Sequence, residues 1–258
     1  MPRVLVRRPS PRLAEGELTH VERKPVDPQL ALRQWHGYVS ALAALGWDPV
    51  EVAPADDQPD GVFVEDAVVF FGDVAVLTSP GAESRRGELG TVEAGLNSLG
   101  VQAQRIVLPG TLDGGDVLKV GTTVYVGRGS RTNEDGIRQL GAIVEPLGYR
   151  VVAVPVTRAL HLKSAVTALP DGTVIGYPPL VDDPNVFDEF LAVPEAHGTA
   201  VVVLDEDTVL MSASAPQTAR LLAERGLEVV IVPITEFEKL EGCVTCLSVR
   251  LRDDVHPT

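Results

Sequence analysis

Short runs of apolar residues occur in pairs along the chain. Runs at 67–71 and 74–78 turn at Gly72-Asp73, and runs at 117–120 and 123–126 turn at Gly121-Thr122. A third pair, 166–169 and 173–176, turns at Pro170-Asp171-Gly172, and a fourth, 201–204 and 208–211, at Asp205-Glu206-Asp207. β-type runs joined by short turns rich in Gly and Asp predict four hairpins. Helical patterns at 28–45, 86–99, 133–147 and 215–225 end at Gly46, Gly100, Gly148 and Gly226, where a left-handed cap is wanted. A further β-type run follows each helix, at 47–52, 101–108, 149–156 and 227–234. The unit is therefore strand, strand, helix, strand.

Turns at Gly72, Gly121 and Asp171 stand 49 and then 50 residues apart, so the unit repeats with a period near fifty. Two strand-like runs have no local partner, 3–8 at the start and 246–251 at the end. Pairing them makes a fifth hairpin and closes a ring. The fold class that follows is α/β, a five-bladed pseudo-symmetric α/β propeller, its sheet edges removed by closure. An ordinary mixed sheet explains the segments but neither the period nor the two unpaired ends. The stretch 177–199 departs from the unit, with only a short helical signal at 186–191. The stretch 10–27 reads as a long surface loop, the form that lids take. No linker or shift in composition divides the chain, so 1–258 is read as a single catalytic domain.

Charge and cysteine usage narrow the partners. The formal charge of −14 argues against nucleic acid and anionic membranes. No apolar run approaches membrane-spanning length, and the first residues do not form a signal peptide. Two cysteines in a chain of 258 residues fit a reducing compartment, here the cytoplasm.

Unusual polar residues recur just before the first strand of the hairpins. They are Asp60 with Glu65-Asp66, Asp113 with Asp116, His161 with Lys163, and Cys246 at the head of the last strand-like run. Asp113 and His161 are 48 residues apart, close to one repeat. In a closed ring, equivalent positions face one axis, so a carboxylate, an imidazole and a thiol converge there. Singly, each has a bland explanation: a turn-forming Asp, a structural His, a buried Cys. Their joint placement favours a thiol nucleophile with an acid/base partner, since a free thiol, with a pKa near ~8.5, needs activation at neutral pH. Cys243, three residues before Cys246, raises a redox or metal reading. A structural zinc site would need about four ligands, and there is no second Cys pair. Of the other histidines, His20 sits in the lid stretch, while His36, His197 and His256 read as structural or solvated.

Six motifs carry a specific resemblance: Phe63-Val64-Glu65-Asp66, Ser84-Arg85-Arg86, Leu112-Asp113-Gly114-Gly115-Asp116-Val117, Arg131-Thr132-Asn133, Leu160-His161-Leu162-Lys163-Ser164 and Val244-Thr245-Cys246-Leu247-Ser248. Together and in this order they resemble the dimethylarginine dimethylaminohydrolase family of the guanidine-modifying superfamily, over essentially the whole chain. The resemblance implies the same five-unit propeller. It implies Cys246 as nucleophile, His161 as general acid/base and Asp113 as the carboxylate that orients the imidazole. Glu65 and Asp66 match carboxylates of the guanidinium pocket, and Asp60 the residue near the substrate α-amine. Arg85 and Arg131 match a pair gripping the α-carboxylate, Leu18 a lid residue, and Leu240 a backbone carbonyl toward the α-amine.

These residue types suit the chemistry. Paired carboxylates bind a planar guanidinium through charge-assisted hydrogen bonds, and Arg forks suit a carboxylate. The implied reaction is hydrolysis of Nω-methylated L-arginine to L-citrulline and methylamine or dimethylamine through a covalent Cys intermediate. It calls for no cofactor and no metal. The implied partner is the small-molecule substrate, with homodimer formation left open. Arginine or agmatine deiminase of the same superfamily is the nearest alternative; a non-catalytic propeller-fold binding protein and a thiol redox or metal-binding protein are the others. Arg85 and Arg131 argue against agmatine, which lacks the carboxylate.

Overall fold

A computed structural model describes residues 1–251; His256 lies outside the described residues. Among the described residues, fifteen short strands form five three-stranded sheets. The first holds β1 (Arg3–Val6) and β2 (Asp48–Glu51), the second β3 (Val68–Phe71), β4 (Val74–Leu77) and β5 (Ala103–Arg105). The third holds β6 (Val117–Val120), β7 (Thr123–Arg128) and β8 (Arg150–Pro155), the fourth β9 (Val166–Ala168), β10 (Val174–Gly176) and β11 (Phe190–Ala192). The fifth holds β12 (Val201–Val203), β13 (Thr208–Ser212) and β14 (Glu228–Val232). The last strand, β15 (Val249–Leu251), returns to the first sheet and pairs antiparallel with β1, Arg3 opposite Leu251. Every sheet thus has an antiparallel hairpin and one parallel strand reached by a crossover. The termini pair as the sequence requires, and the chain is a five-bladed α/β propeller.

The crossovers of four sheets carry α1 (Pro28–Ala44), α2 (Leu89–Ser98), α3 (Glu134–Val144) and α5 (Pro216–Glu224), while α4 (Leu162–Ala165) is a single turn ahead of the fourth sheet. Asp27 caps the first of these by accepting from the N–H groups of Gln29 and Leu30, with Pro28 at the first helical position. The glycines predicted to end the helices all take a left-handed φ, between 75° and 91°. The fourth crossover has no α-helix. Pro178, Pro179 and Pro184 punctuate it, and only 3-10 turns form before β11. The short helix expected at 186–191 is replaced by the end of a 3-10 turn and the start of a strand, whose backbone is taken up by pairing with β10 from Glu189 O onward.

Strand alternation explains how the blades cohere. Val68 and Phe70 pack with Leu5 and Val249 of the first sheet, whereas Val69 and Phe71 pack with Val117 and Val126 of the third. Similarly, Val201 faces Ile175 of the fourth sheet while Val202 faces Val4 and Val6 of the first. Successive side chains point to opposite faces of a strand, so the antiparallel pair of each sheet is buried against both neighbours, while the parallel outer strands are largely exposed or half-buried. Leu77 and Leu210 are fully buried in this arrangement, and truncating either to Ala should cost about 2–5 kcal/mol.

Candidate active site

Four sheets are each preceded by a tight turn, and these turns meet at one end of the ring. They are the 3-10 turns Val64–Ala67 and Gly114–Asp116, the one-turn helix α4 (Leu162–Ala165), and the 3-10 turn Thr245–Leu247. Another one-turn helix, α6 (Thr235–Glu238), lies before the last turn. Hydrogen bonds link one turn to the next. Gly115 N–H donates to Asp66 Oδ1 at 2.9 Å, Leu162 N–H to Asp116 Oδ1 at 2.9 Å, and Thr245 Oγ1 to Glu65 Oε2 at 3.0 Å. The polar residues singled out by the repeat are thereby brought together, all of them buried except the half-buried Lys163.

His161 sits at the head of α4 with 2 % of its surface exposed. Its Nε2 lies 2.9 Å from Asp113 Oδ2, and Gly81 N–H holds the other oxygen of Asp113 at 2.9 Å. Its Nδ1 is 3.7 Å from Asp66 Oδ1. Gly115 is needed for this approach, because a Cβ there would stand 2.7 Å from both Nδ1 and Asp66 Oδ1. Burial alone would lower the imidazole's proton affinity. The charge of Asp66, the hydrogen bond to Asp113 and the charge of Asp116 outweigh it and raise the pKa to about 9. Burial likewise pushes Asp66 up, but His161 and Arg85 dominate and hold it at about 2. His161 is thus an imidazolium at neutral pH, flanked by carboxylates. The nearby oxygens of Asp66 and Asp113 and a ring nitrogen of His161 fall within 4.8 Å of one another, a spacing metals also use. Here those atoms are engaged by Arg85, Gly115, Gly81 and each other, so we read them as an acid/base pair with an electrostatic neighbour.

Cys246 lies on the 3-10 turn Thr245–Leu247, not on the strand that the alternation placed it on. The strand begins at Val249, because Cys246 N–H bonds back to Cys243 O and Ser248 N–H to Thr245 O. Tyr38 braces the turn from α1: its hydroxyl donates to Val244 O at 2.9 Å and pairs with Ser248 Oγ at 2.7 Å. Cys243 N–H points at Cys246 Sγ at 3.4 Å, and the two sulfurs, both free thiols, are 3.2 Å apart. The shared hydrogen bond with Cys243, then burial, then the carboxylates of Glu65 and Asp66 push the Cys246 thiol up. A cation entering the site would reverse that balance.

One narrow cavity of about 20 Å³ is lined by Cys246, His161, Asp66, Asp60, Arg85 and Arg131, with Leu240, Glu17 and others completing the wall. That space holds about one water and no amino acid. Glu17, from the predicted lid, is the closing element. Arg131 Nη2 donates to Glu17 Oε2 at 3.1 Å, Ser84 Oγ donates to Glu17 Oε1, and Glu17 N–H donates to Asp60 Oδ2 at 3.0 Å. Arg131 Nη1 is buried without a partner among the described residues. Behind Glu17 lies an outer chamber of about 310 Å³ that shares Glu17, Asp60 and Arg85 with the inner cavity. Glu241, at φ 60°, accepts from the N–H groups of Thr19 and His20 and latches the lid.

Three of the expected substrate-binding residues have other partners within the protein. Arg85 is not a free fork: Glu88 takes its Nε and Nη2 at 2.8 Å each, and Asp66 takes Nη1 at 2.6 Å. A buried guanidinium surrounded by carboxylates pairs with them first. Glu65 does not line the cavity; it bonds Lys163 Nζ at 2.8 Å and supports Thr245 beneath the nucleophile. Leu18 likewise is outside the cavity wall and packs on the core shared by the first and last sheets. Sequence reading missed Glu17, Glu241 and Glu88. For the first two the available signal was the acidic Glu15-Gly16-Glu17 stretch inside the lid and a Glu-Gly pair just ahead of the nucleophile.

No family model matches the chain. It is 65% identical over 251 residues to an N(G),N(G)-dimethylarginine dimethylaminohydrolase of Streptomyces coelicolor, covering 97% of each chain. A protein of the same name from Pseudomonas aeruginosa is 34% identical over 250 residues, covering 96% of this chain and 98% of its own. Among solved structures, a Cys-to-Ser variant of the Pseudomonas aeruginosa protein complexed with citrulline matches with a TM-score of 0.89 at 32% identity, over 96% of this chain and 98% of that one. A His-to-Gly variant of a dimethylarginine dimethylaminohydrolase, as an adduct with S-methyl-L-thiocitrulline, matches with a TM-score of 0.88 at 33% identity, with the same coverage.

Proposed function

The chain belongs to the dimethylarginine dimethylaminohydrolase family, and on that premise we propose that it hydrolyses Nω-methylated L-arginines to L-citrulline and methylamine or dimethylamine. The observation that carries this reading is a single cavity walled by a thiol, an imidazole already paired with a carboxylate, and an acidic residue suited to a guanidinium. Arg131 and Asp60 at its other end offer the two charges an amino-acid head group needs.

In this mechanism Glu17 first leaves Arg131 and Asp60, and the substrate's α-carboxylate and α-amine take its place. The guanidinium docks near Asp66. Its charge, with that of the His161 imidazolium, lowers the proton affinity of Cys246, which releases its proton to solvent. The thiolate attacks the guanidinium carbon. His161, held by Asp113 through Nε2, gives the proton on Nδ1 to the departing amine, and a thiouronium-type adduct remains on Cys246. The now neutral imidazole takes a proton from water, which attacks the same carbon. Collapse of the second tetrahedral species forms the ureido carbonyl and breaks the C–S bond, and the hydroxyl proton passes to the departing sulfur, which restores the thiol. All steps use one domain and side chains of this chain. Both thiols must stay reduced, which fits the cytoplasm.

A side-by-side assay of asymmetric dimethylarginine, arginine and agmatine, detecting the ureido product and the released amine, tests the reading. Turnover of dimethylarginine well above the other two is expected. Preferred turnover of arginine with release of ammonia would make the chain a deiminase instead.

A further inference from the structure

Asp116 is a buried carboxylate that the mechanism above leaves unused. It is 1 % exposed and does not line the cavity. Its Oδ1 accepts the N–H of Leu162, the residue directly after His161, at 2.9 Å. Its Oδ2 accepts the hydroxyl of Thr132 at 2.6 Å, and Thr132 Oγ1 in turn accepts the N–H of Asp113 at 3.1 Å. Thr132 also follows Arg131 directly in the chain. One side chain therefore ties the backbone at His161 to the backbone at Asp113, across two blades, and anchors the residue next to Arg131. The strand β7 closes over it without a gap, since a Cβ on Gly127 would stand 2.4 Å from Asp116 Oδ1.

We propose that Asp116 is a positioning residue for the hydrolysis, holding the His161 imidazole and the Asp113 carboxylate in register. The proposal rests on the functional reading above for the identity of the reaction, not for the geometry. A one-ångström misplacement of a catalytic group can cost about 10²-fold in rate, so a residue that fixes two such groups at once has a large effect without touching substrate. The electrostatics point the same way. Burial pushes Asp116 up to about 6, against the pull of His161, Thr132 and Leu162 N–H, so it is mostly an anion at neutral pH. The groups facing His161 are Asp66, Asp113 and Asp116, and each favours the imidazolium. Removing one of these charges lowers the imidazole's proton affinity.

Asp116→Asn tests this. The amide keeps the acceptor for Leu162 N–H, but its NH₂ must face a Thr132 hydroxyl that already accepts from Asp113, and the hydroxyl proton loses its acceptor. The expected result is a tenfold to hundredfold fall in kcat with KM changed less than about twofold, and a basic limb of the pH profile displaced to lower pH. Thr132→Val should give a smaller loss, and Thr132→Ser, which restores the hydroxyl, should recover most of it. The Thr132 pair carries the test if Asp116→Asn does not fold. In parallel, the imidazole of His161 is titrated by NMR in wild type and variants, a readout independent of turnover. A His161 titration and kcat unchanged in a folded Asp116→Asn or Thr132→Val protein would overturn the proposal. So would a variant that loses only thermal stability while its folded fraction keeps the wild-type pH profile. Wild-type protein without activity on dimethylarginine would overturn the functional reading alone, leaving the titration to judge Asp116.

Discussion

Glu17→Gln should make the protein bind its substrate more tightly. In the closed state the Glu17 carboxylate occupies Arg131, and the Glu17 N–H occupies Asp60, where a substrate carboxylate and amine belong. Every productive binding event must first break the Glu17–Arg131 pair. The Arg131 side chain is 9% exposed and that of Glu17 41%. A fully buried charge-assisted hydrogen bond is worth about 1.5–3 kcal/mol and an exposed pair about 0.2–1 kcal/mol. Discounting for the exposure of Glu17 gives about 1 kcal/mol, which corresponds to about fivefold in affinity. The amide keeps the backbone bond to Asp60, so the lid still closes. Steady-state kinetics with dimethylarginine should show KM lowered about threefold to tenfold with kcat nearly unchanged. Calorimetry with citrulline should show the same gain in Kd, which separates binding from the kinetic meaning of KM. A higher KM in Glu17→Gln would refute the reasoning and assign Glu17 to holding the bound state.

Cys246→Ser should abolish turnover while leaving substrate binding, and Cys243→Ser should keep most activity; the reverse pattern in a citrulline assay would exchange their roles. His161→Gly should lose several orders of magnitude, since the imidazole serves both half-reactions, and Asp113→Asn should lose less. Because the folded pKa of His161 is about 9, above its ordinary 6.5, the imidazolium is fully present below about pH 6.5. Its contribution to stability and its supply of a proton to the leaving amine are both lost as pH rises through about 9, a limb to be read from melting curves and kcat/KM. Arg131→Ala should weaken carboxylate-bearing substrates about tenfold to hundredfold and spare agmatine-type compounds. Arg85→Ala should instead cost about 3–5 kcal/mol of stability, by leaving Glu88 and Asp66 buried and unpaired, and should impair both substrate types alike.

The repeat was readable because each unit is local. A hairpin turn, a glycine after a helix and an apolar run afterwards lie within fifty residues, and the unpaired runs at the two ends left ring closure as their remaining partner. The convergence of Asp113, His161 and Cys246 followed from that symmetry. What the chain did not reveal was who pairs with whom among the charges. Arg85 and Glu88 are three residues apart, a spacing that surface helices use freely, so nothing marked this pair as buried. Glu17 and Arg131 are far apart in sequence and meet only when a loop without periodicity folds over the ring. Asp116 stood out only as a polar companion of Asp113, and its value comes from its bonds to Thr132 and Leu162, which sequence spacing does not give.

The pairing of the first strand with the last has a kinetic consequence. Four blades assemble from neighbours in sequence, but the register of Arg3 with Leu251 joins residues separated by nearly the whole described chain. Contacts of such separation form late, because the loop they close must be ordered first. The turn bearing Cys246 belongs to that last contact, whereas Asp113 and His161 sit in blades that fold locally. During refolding from denaturant, far-ultraviolet dichroism should therefore recover before catalytic competence does. An intermediate with four formed blades would hold its acid/base pair ready and lack only its nucleophile, so this fold ties the onset of chemistry to the completion of the ring.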